Sequence, residues 1–398
     1  MIPAVRIPVL LLRRFVLALA ISFVSLAPAL ANPLLLVDRD TLQVLYADDA
    51  GQPWHPASLT KLMTAYVAFE EIAKGTVTLD TPVTLSKYAL TMAPSRSGLK
   101  VDTSVSLEDA LYILIVKSAN DMAVAIAETI GGSEAGFVTK MNDAAQRMGL
   151  TATHYVNPHG LHDDRQVTSA RDLAVLSLYI EQSFPQYMPM FRTSTVTIAG
   201  MKLESQNSLL TSFAGAVGMK TGYVCASGLN MVADVDRNGR RLMAVVLGGS
   251  SGRDRNERAA ELLLKGLSGS ATPTGQSILN VANAVGTAPV DMRPNICGKS
   301  AAAYVKAQEA AFPMGLKGQP SYLTDQIAAV NHVATDLGRV RTGIVLPRPR
   351  PAHIASISSP AIAATPVADT TLEASLRPGL DLASNPNIPY PRPRPASR

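Results

Sequence analysis

Ser58 and Lys61 stand three residues apart in Pro56-Ala57-Ser58-Leu59-Thr60-Lys61, at the head of the largely apolar run Leu62-Met63-Thr64-Ala65-Tyr66-Val67-Ala68-Phe69. A proline suits the first turn of a helix, so the pattern predicts a helix starting near Ala57 or Ser58. Residues three apart share a helical face, which sets the hydroxyl beside the amine. A neutral amine in that position takes the hydroxyl proton and makes the serine a nucleophile. The first N–H groups of a helix lack intrahelical partners and can face a developing oxyanion, so one turn offers both attack and stabilisation. Taken alone, the tetrapeptide reads better as a solvated helix start with a serine cap and an exposed lysine.

Two further groups carry chemistry-bearing residues. Lys117-Ser118-Ala119-Asn120-Asp121 interrupts a helical stretch over 107–127 whose first half is apolar all round, the mark of a buried helix. Residues two apart do not share a helical face, so Ser118 and Asn120 serve one site only from a bend between helices. Otherwise they are polar residues satisfied by backbone. Lys220-Thr221-Gly222 follows Val217-Gly218-Met219 on a strand-like run. It offers a cation for a carboxylate, a hydroxyl beside it, and a glycine that lets a substrate backbone come close.

The elements that must position these groups are legible around them. Apolar runs 34–37 and 42–46, broken by Asp38-Arg39-Asp40-Thr41, predict a hairpin. Residues 76–85 alternate through Val77, Leu79, Val83 and Leu85, as a strand does. Thr168-Ser169-Ala170-Arg171-Asp172 opens a capped helix. Runs 229–235 and 241–247 flank Asp236-Arg237-Asn238-Gly239, a hairpin turn. Strands at both ends with helices between them cannot make a repeated parallel unit, so the class is α+β. His154, His159 and His162 share a segment that Asn157-Pro158 and His159-Gly160 punctuate as a loop. A zinc site from such close ligands wants a further ligand at a distance, so the segment argues against a metal, and no cofactor is expected.

The chain has 398 residues, 47% hydrophobic and 17% charged, enough for a full core with sequence left over. A net charge of +5 is scattered, and aromatics are only 5%, which speaks against nucleic acid and leaves an anionic cell-surface polymer as the better partner. Arg6, Arg13 and Arg14 precede the apolar run 15–27, and Ala29-Leu30-Ala31 offers small residues for cleavage before Asn32. Residues 1–31 therefore read as a cleaved secretory signal, with an uncleaved anchor as the alternative, and the mature chain is expected in the periplasm or cell-wall space. In an oxidising compartment the two cysteines, Cys225 and Cys297, invite one disulfide.

Ser-x-x-Lys at Ser58, Ser-x-Asn at Ser118 and Lys-Thr-Gly at Lys220, in that order and rough spacing, resemble the motif set of penicillin-binding proteins and serine β-lactamases. With Asn157-Pro158-His159-Gly160-Leu161 and Gly218-Met219 added, the chain closely resembles the low-molecular-mass D-alanyl-D-alanine carboxypeptidases over 32–267. It departs from them at Ala119 and at Tyr223. The resemblance implies a transpeptidase-type fold, an antiparallel sheet flanked by helices with a helical insertion carrying Ser118. It implies Ser58 as acyl-enzyme nucleophile, Lys61 as its base and Ser118 as proton relay to the leaving amine. Asn120 would hold the peptide carbonyl, Lys220 and Thr221 the terminal carboxylate, with Arg255 beside them. Gly222 and Tyr223 complete the substrate strand, and the N–H groups of Ser58 and Tyr223 would face the oxyanion. The implied substrates are peptidoglycan stem peptides ending in D-Ala-D-Ala, with β-lactams as covalent inhibitors. D,D-endopeptidase action on crosslinks, or wall and β-lactam binding with little turnover, would use the same residues. The β-rich domain and amphipathic helix that follow in many relatives are not evident. Instead 268–343 reads as a small helical and extended extension. Residues 344–398, where Pro347-Arg348-Pro349-Arg350-Pro351 recurs as Pro391-Arg392-Pro393-Arg394-Pro395, read as a disordered tail able to contact the wall by charge.

Overall fold

A central strand that is apolar on both faces organises this fold. A computed structural model of the protein describes residues 32–339 apart from Val285. The signal expected over 1–31 and the tail expected over 344–398 lie outside those residues. In chain order the described strands are β1 (Leu34–Asp38), β2 (Val44–Asp48), β3 (Pro82–Thr84), β4 (Ser104–Ser106), β5 (Thr195–Ile198), β6 (Met201–Glu204), β7 (Ala216–Val224), β8 (Gly228–Arg237), β9 (Arg240–Gly249) and β10 (Asn331–Val333). Five of them form one antiparallel sheet in the order β2-β1-β9-β8-β7. Along β9, Met243, Val245 and Leu247 enter the core that holds helices Thr60–Ala73 and Ala170–Ser183. Leu242, Ala244 and Val246 point the other way, onto Ala259, Ala260 and Leu263 of helix Gly252–Leu267. A strand covered on both faces reads as a continuous apolar run, which is what 242–247 is. The β8–β9 connection turns at Asn238 and Gly239 with φ of 55° and 72°, the two left-handed residues of a primed hairpin turn.

Helices Leu107–Val116, Asn120–Gly131 and Glu134–Arg147 build the insertion. Helix starts repeat one device: the side chains of Ser106, Ser169 and Ser251 accept from the N–H of Asp109, Asp172 and Asp254. Each pairs a hydroxyl cap with a carboxylate in the first turn, where the helix dipole favours it. The expected α+β class and transpeptidase-type arrangement are what the structure shows.

One local expectation needs correction. Only Pro82–Thr84 of the alternating stretch 76–85 pairs as a strand, with β4. Thr76 N and Oγ1 both bond the Glu71 carbonyl, and Thr78 N bonds Thr81 Oγ1 at 2.8 Å, so threonine hydroxyls close turns that the periodicity does not register. The chain beyond Leu267 lies against the body. Ile278 N bonds the Leu42 carbonyl at 2.9 Å, and β10 joins β5 in parallel, making a β10-β5-β6 sheet.

Candidate active site

Ser58 lies in a single 3-10 turn, Ala57–Leu59, and the α-helix proper begins at Thr60, so Lys61 is in its first turn. Ala57 adopts φ of 49°, a left-handed conformation costly for a residue with a Cβ. The turn is gripped from two sides. A Cβ on Gly160 would lie 1.9 Å from the Ala57 carbonyl oxygen, and one on Gly222 would lie 3.0 Å from Ser58 N. Gly222 thus admits the Ser58 turn itself against β7, an edge strand of the sheet.

The segment carrying Gly160 is fastened to the same helix. Asn157 Oδ1 accepts from Gly160 N at 2.7 Å, Thr64 Oγ1 donates to the Pro158 carbonyl at 2.6 Å, and Gln166 Nε2 donates to Thr60 Oγ1 at 3.0 Å. This delivers the His159 carbonyl to Lys61. Lys61, 1% exposed, has Nζ 3.1 Å from Ser58 Oγ, 2.7 Å from Asn120 Oδ1 and 2.5 Å from the His159 carbonyl oxygen. Burial holds this lysine well below its usual range, the charge of Lys220 adds to that, and Asp121 opposes it. A neutral amine has two hydrogens and one lone pair. Two of its three partners only accept, which leaves the lone pair for the Ser58 hydroxyl proton.

Ser118 occupies the break between helices Leu107–Val116 and Asn120–Gly131, at φ of 60°. The bend foreseen from the spacing brings Ser118 and Asn120 to one cleft. Asn120 donates Nδ2 to the Pro94 carbonyl at 2.6 Å while its Oδ1 faces Lys61. Asp121, fully buried, binds Ser97 N and Oγ and so holds the loop 94–97 at the cleft wall. Burial raises its carboxyl, against the hydrogen bonds from Ser97.

From the opposite wall Lys220 Nζ donates to Ser118 Oγ and to the Thr221 carbonyl, both at 2.9 Å. Burial, and then the charge of Arg255, lower Lys220 to about 7. Between the walls is a cavity of about 480 Å³ lined by Ser58, Ser118, Asn120, Thr221, Gly222 and Tyr223, among others. Arg255 lies behind this lining, donating to the Gln206 carbonyl at 3.1 Å and to Asn256 Oδ1 at 2.9 Å. Tyr223 is 48% exposed, its hydroxyl 3.3 Å from Cys297 Sγ. Cys225 and Cys297 are joined as a disulfide with Cα atoms 5.7 Å apart, tying the later chain to the end of β7.

Sequence reasoning gave no individual role to His159, Pro94 or Gln206, which act through backbone carbonyls. No side-chain type signals a carbonyl, but the Asn-Pro-His-Gly punctuation marks where one is turned inward.

A family model described as D-alanyl-D-alanine carboxypeptidase matches residues 24–251. The D-alanyl-D-alanine carboxypeptidase DacD of Salmonella typhimurium is 37% identical over 261 residues, covering 64% of this chain and 67% of the relative. Among solved structures, penicillin binding protein 6B from Escherichia coli shares 37% identity and a TM-score of 0.56, over 62% of this chain and 80% of that one. Penicillin-Binding Protein D2 from Listeria monocytogenes, in a cefotaxime-bound form, shares 28% identity and a TM-score of 0.53, over 60% of this chain and 97% of that one. The matched region spans 61% to 67% of the length of the first curated relatives. With the family model covering more than half of its 398 residues, the chain belongs to the D-alanyl-D-alanine carboxypeptidase family.

Proposed function

We propose that the protein is an exported serine-type D-Ala-D-Ala carboxypeptidase that removes the terminal D-alanine of peptidoglycan stem peptides through an ester on Ser58. One observation carries this reading: a fully buried Lys61 with Nζ 3.1 Å from Ser58 Oγ, its other two partners being carbonyl oxygens that only accept. Neutral Lys61 takes the Ser58 proton as Oγ bonds to the carbonyl carbon of the penultimate residue. The scissile C–N bond then breaks as Ser118, bonded to Lys220, passes its proton to the leaving amine and takes the proton held by Lys61, which returns to its neutral form. Water cleaves the ester, Lys61 again taking the proton, and Ser58 is restored. Lys220 and Thr221 hold the free carboxylate, and Arg255 adds positive charge from behind. Substrate carboxylate stabilises the ammonium of Lys220, offsetting the burial that lowers it. The N–H groups of Ser58 and Tyr223 receive the oxyanion.

The cefotaxime-bound relative supports β-lactam binding here, which the proposed ester chemistry at Ser58 would make covalent. Export fits the extracellular polymer substrate, and among the described residues no helix is long and apolar enough to cross a membrane. Digestion of purified muropeptides, read by mass, tests the proposal. Conversion of pentapeptides to tetrapeptides with release of free D-alanine is expected. Cleavage of crosslinked dimers alone would show a D,D-endopeptidase, and no product at all would show a binding protein.

A further inference from the structure

Behind the Ser58 turn, outside the cavity, three metal-ligating side chains converge. His55, His162 and Asp164 each turn one ligating atom inward, all within 4.8 Å of one another. His55 is 4% exposed, and its ring meets the His162 ring edge-on with centroids 4.8 Å apart. Its Nδ1 lies 3.1 Å from the Gln166 carbonyl oxygen. A carbonyl only accepts, so Nδ1 carries the proton and Nε2 keeps its lone pair. One ring N–H held by a backbone carbonyl with the other nitrogen free is how histidines are oriented toward a metal. His162 Nε2 is 3.0 Å from Asp164 Oδ1, near the roughly 3.3 Å that separates ligand atoms around a tetrahedral ion with bonds of about 2.0–2.2 Å.

The surrounding charge is consistent. Asp163, Asp164 and Asp291 are set against Arg165, which pairs with Asp163 at 2.8 Å, and Arg293, which pairs with Asp291 at 2.8 Å and reaches Asp164 at 3.9 Å. Three carboxylates against two guanidiniums leave one negative charge for a cation.

We propose that His55, His162 and Asp164 bind a divalent cation of the zinc class, with three protein ligands and an open fourth position. The loop histidines lack a partner at a distance in the sequence, and the fold supplies it in His55. His55 directly precedes Pro56-Ala57-Ser58, and His162 follows Gly160-Leu161, which closes on the Ala57 carbonyl. A bound ion ties the segment that leads into the nucleophile's turn to the loop that grips it. His154 and His159 take no part; His159 Nε2 faces Glu134 at 3.6 Å.

Equilibrium dialysis of the metal-free full chain against Zn²⁺, with Co²⁺ absorption as the geometric readout, tests this. One equivalent is expected to bind with a tetrahedral Co²⁺ spectrum, and Zn²⁺ is expected to raise the unfolding midpoint. His162→Ala and Asp164→Asn, both at exposed positions, are expected to weaken binding at least tenfold and to abolish the midpoint shift, whereas His154→Ala leaves both unchanged. Absence of stoichiometric binding, or wild-type affinity retained in His162→Ala, overturns the site.

Discussion

Among the described residues, the cations around Arg39 and those of the cleft differ in their partners. Arg39 lies 3.0 Å from Glu181 and 3.3 Å from Asp234, and Arg241 pairs with Glu181 and Asp40. Lys61, Lys220 and Arg255 are as deeply buried, at 1%, 3% and 4% exposure, yet among the described residues their hydrogen-bond partners are neutral oxygens. A buried charge without a counter-charge relaxes by losing its proton. Both cleft lysines are held below their usual range, while in the paired cluster burial raises the Asp234 carboxyl and the charge of Arg39 opposes that. Under the proposed function, the free carboxylate of a substrate supplies these cations with a counter-charge.

Removing the cleft base should have the largest effect. Lys61→Met keeps the stem's volume and deletes the amine, and the rate of acylation by a fluorescent penicillin is expected to fall about 10²- to 10⁴-fold. Acylation at the wild-type rate would remove Lys61 from the base role and with it the contrast between the two clusters. The converse change is Arg39→Met, which leaves the fully buried Asp234 without its cation. It is expected to cost about 3–5 kcal/mol in urea unfolding while leaving acylation per folded molecule unchanged.

Much of this was readable from residues alone. Ser58, Lys61, Ser118, Asn120 and Lys220 stood out only together: each local pattern alone had a bland reading, and the order of the three motifs, through its resemblance to penicillin-binding proteins, singled them out. The runs that became β1, β2, β8 and β9 were legible as strands, while their assembly with β7 into one antiparallel sheet was implied by the resemblance. Pairings that join distant segments were not readable. β10 meets β5 across more than a hundred residues with no local signal in either partner. Burial was equally hidden: an exposed lysine cap and a buried neutral base have the same sequence. Their difference rests on the loop 156–161 and on Asn120, which close over Lys61 only in the fold.

Lys220→Gln sharpens the comparison by removing the waiting cation. It is expected to lower kcat/KM about tenfold to a hundredfold on peptides with a free carboxylate, the scale of a hydrogen bond to a charged group, and to spare amide-capped peptides. Equal losses on both would show that Lys220 is not the anchor. A smaller effect follows in the same variant. The Lys220 charge helps to hold Lys61 down, so its loss lets the Lys61 pKa rise. The active base is the unprotonated form, so the acid limb of kcat/KM on an amide-capped peptide should move to higher pH. A shift to lower pH would contradict the coupling.

The most direct test is where the covalent bond forms. After exposure to a β-lactam, intact-mass measurement and peptide mapping should show one adduct of the drug's mass on the peptide bearing Ser58, and none in Ser58→Ala. An adduct on another residue, or labelling that persists in Ser58→Ala, would contradict Ser58 as the nucleophile.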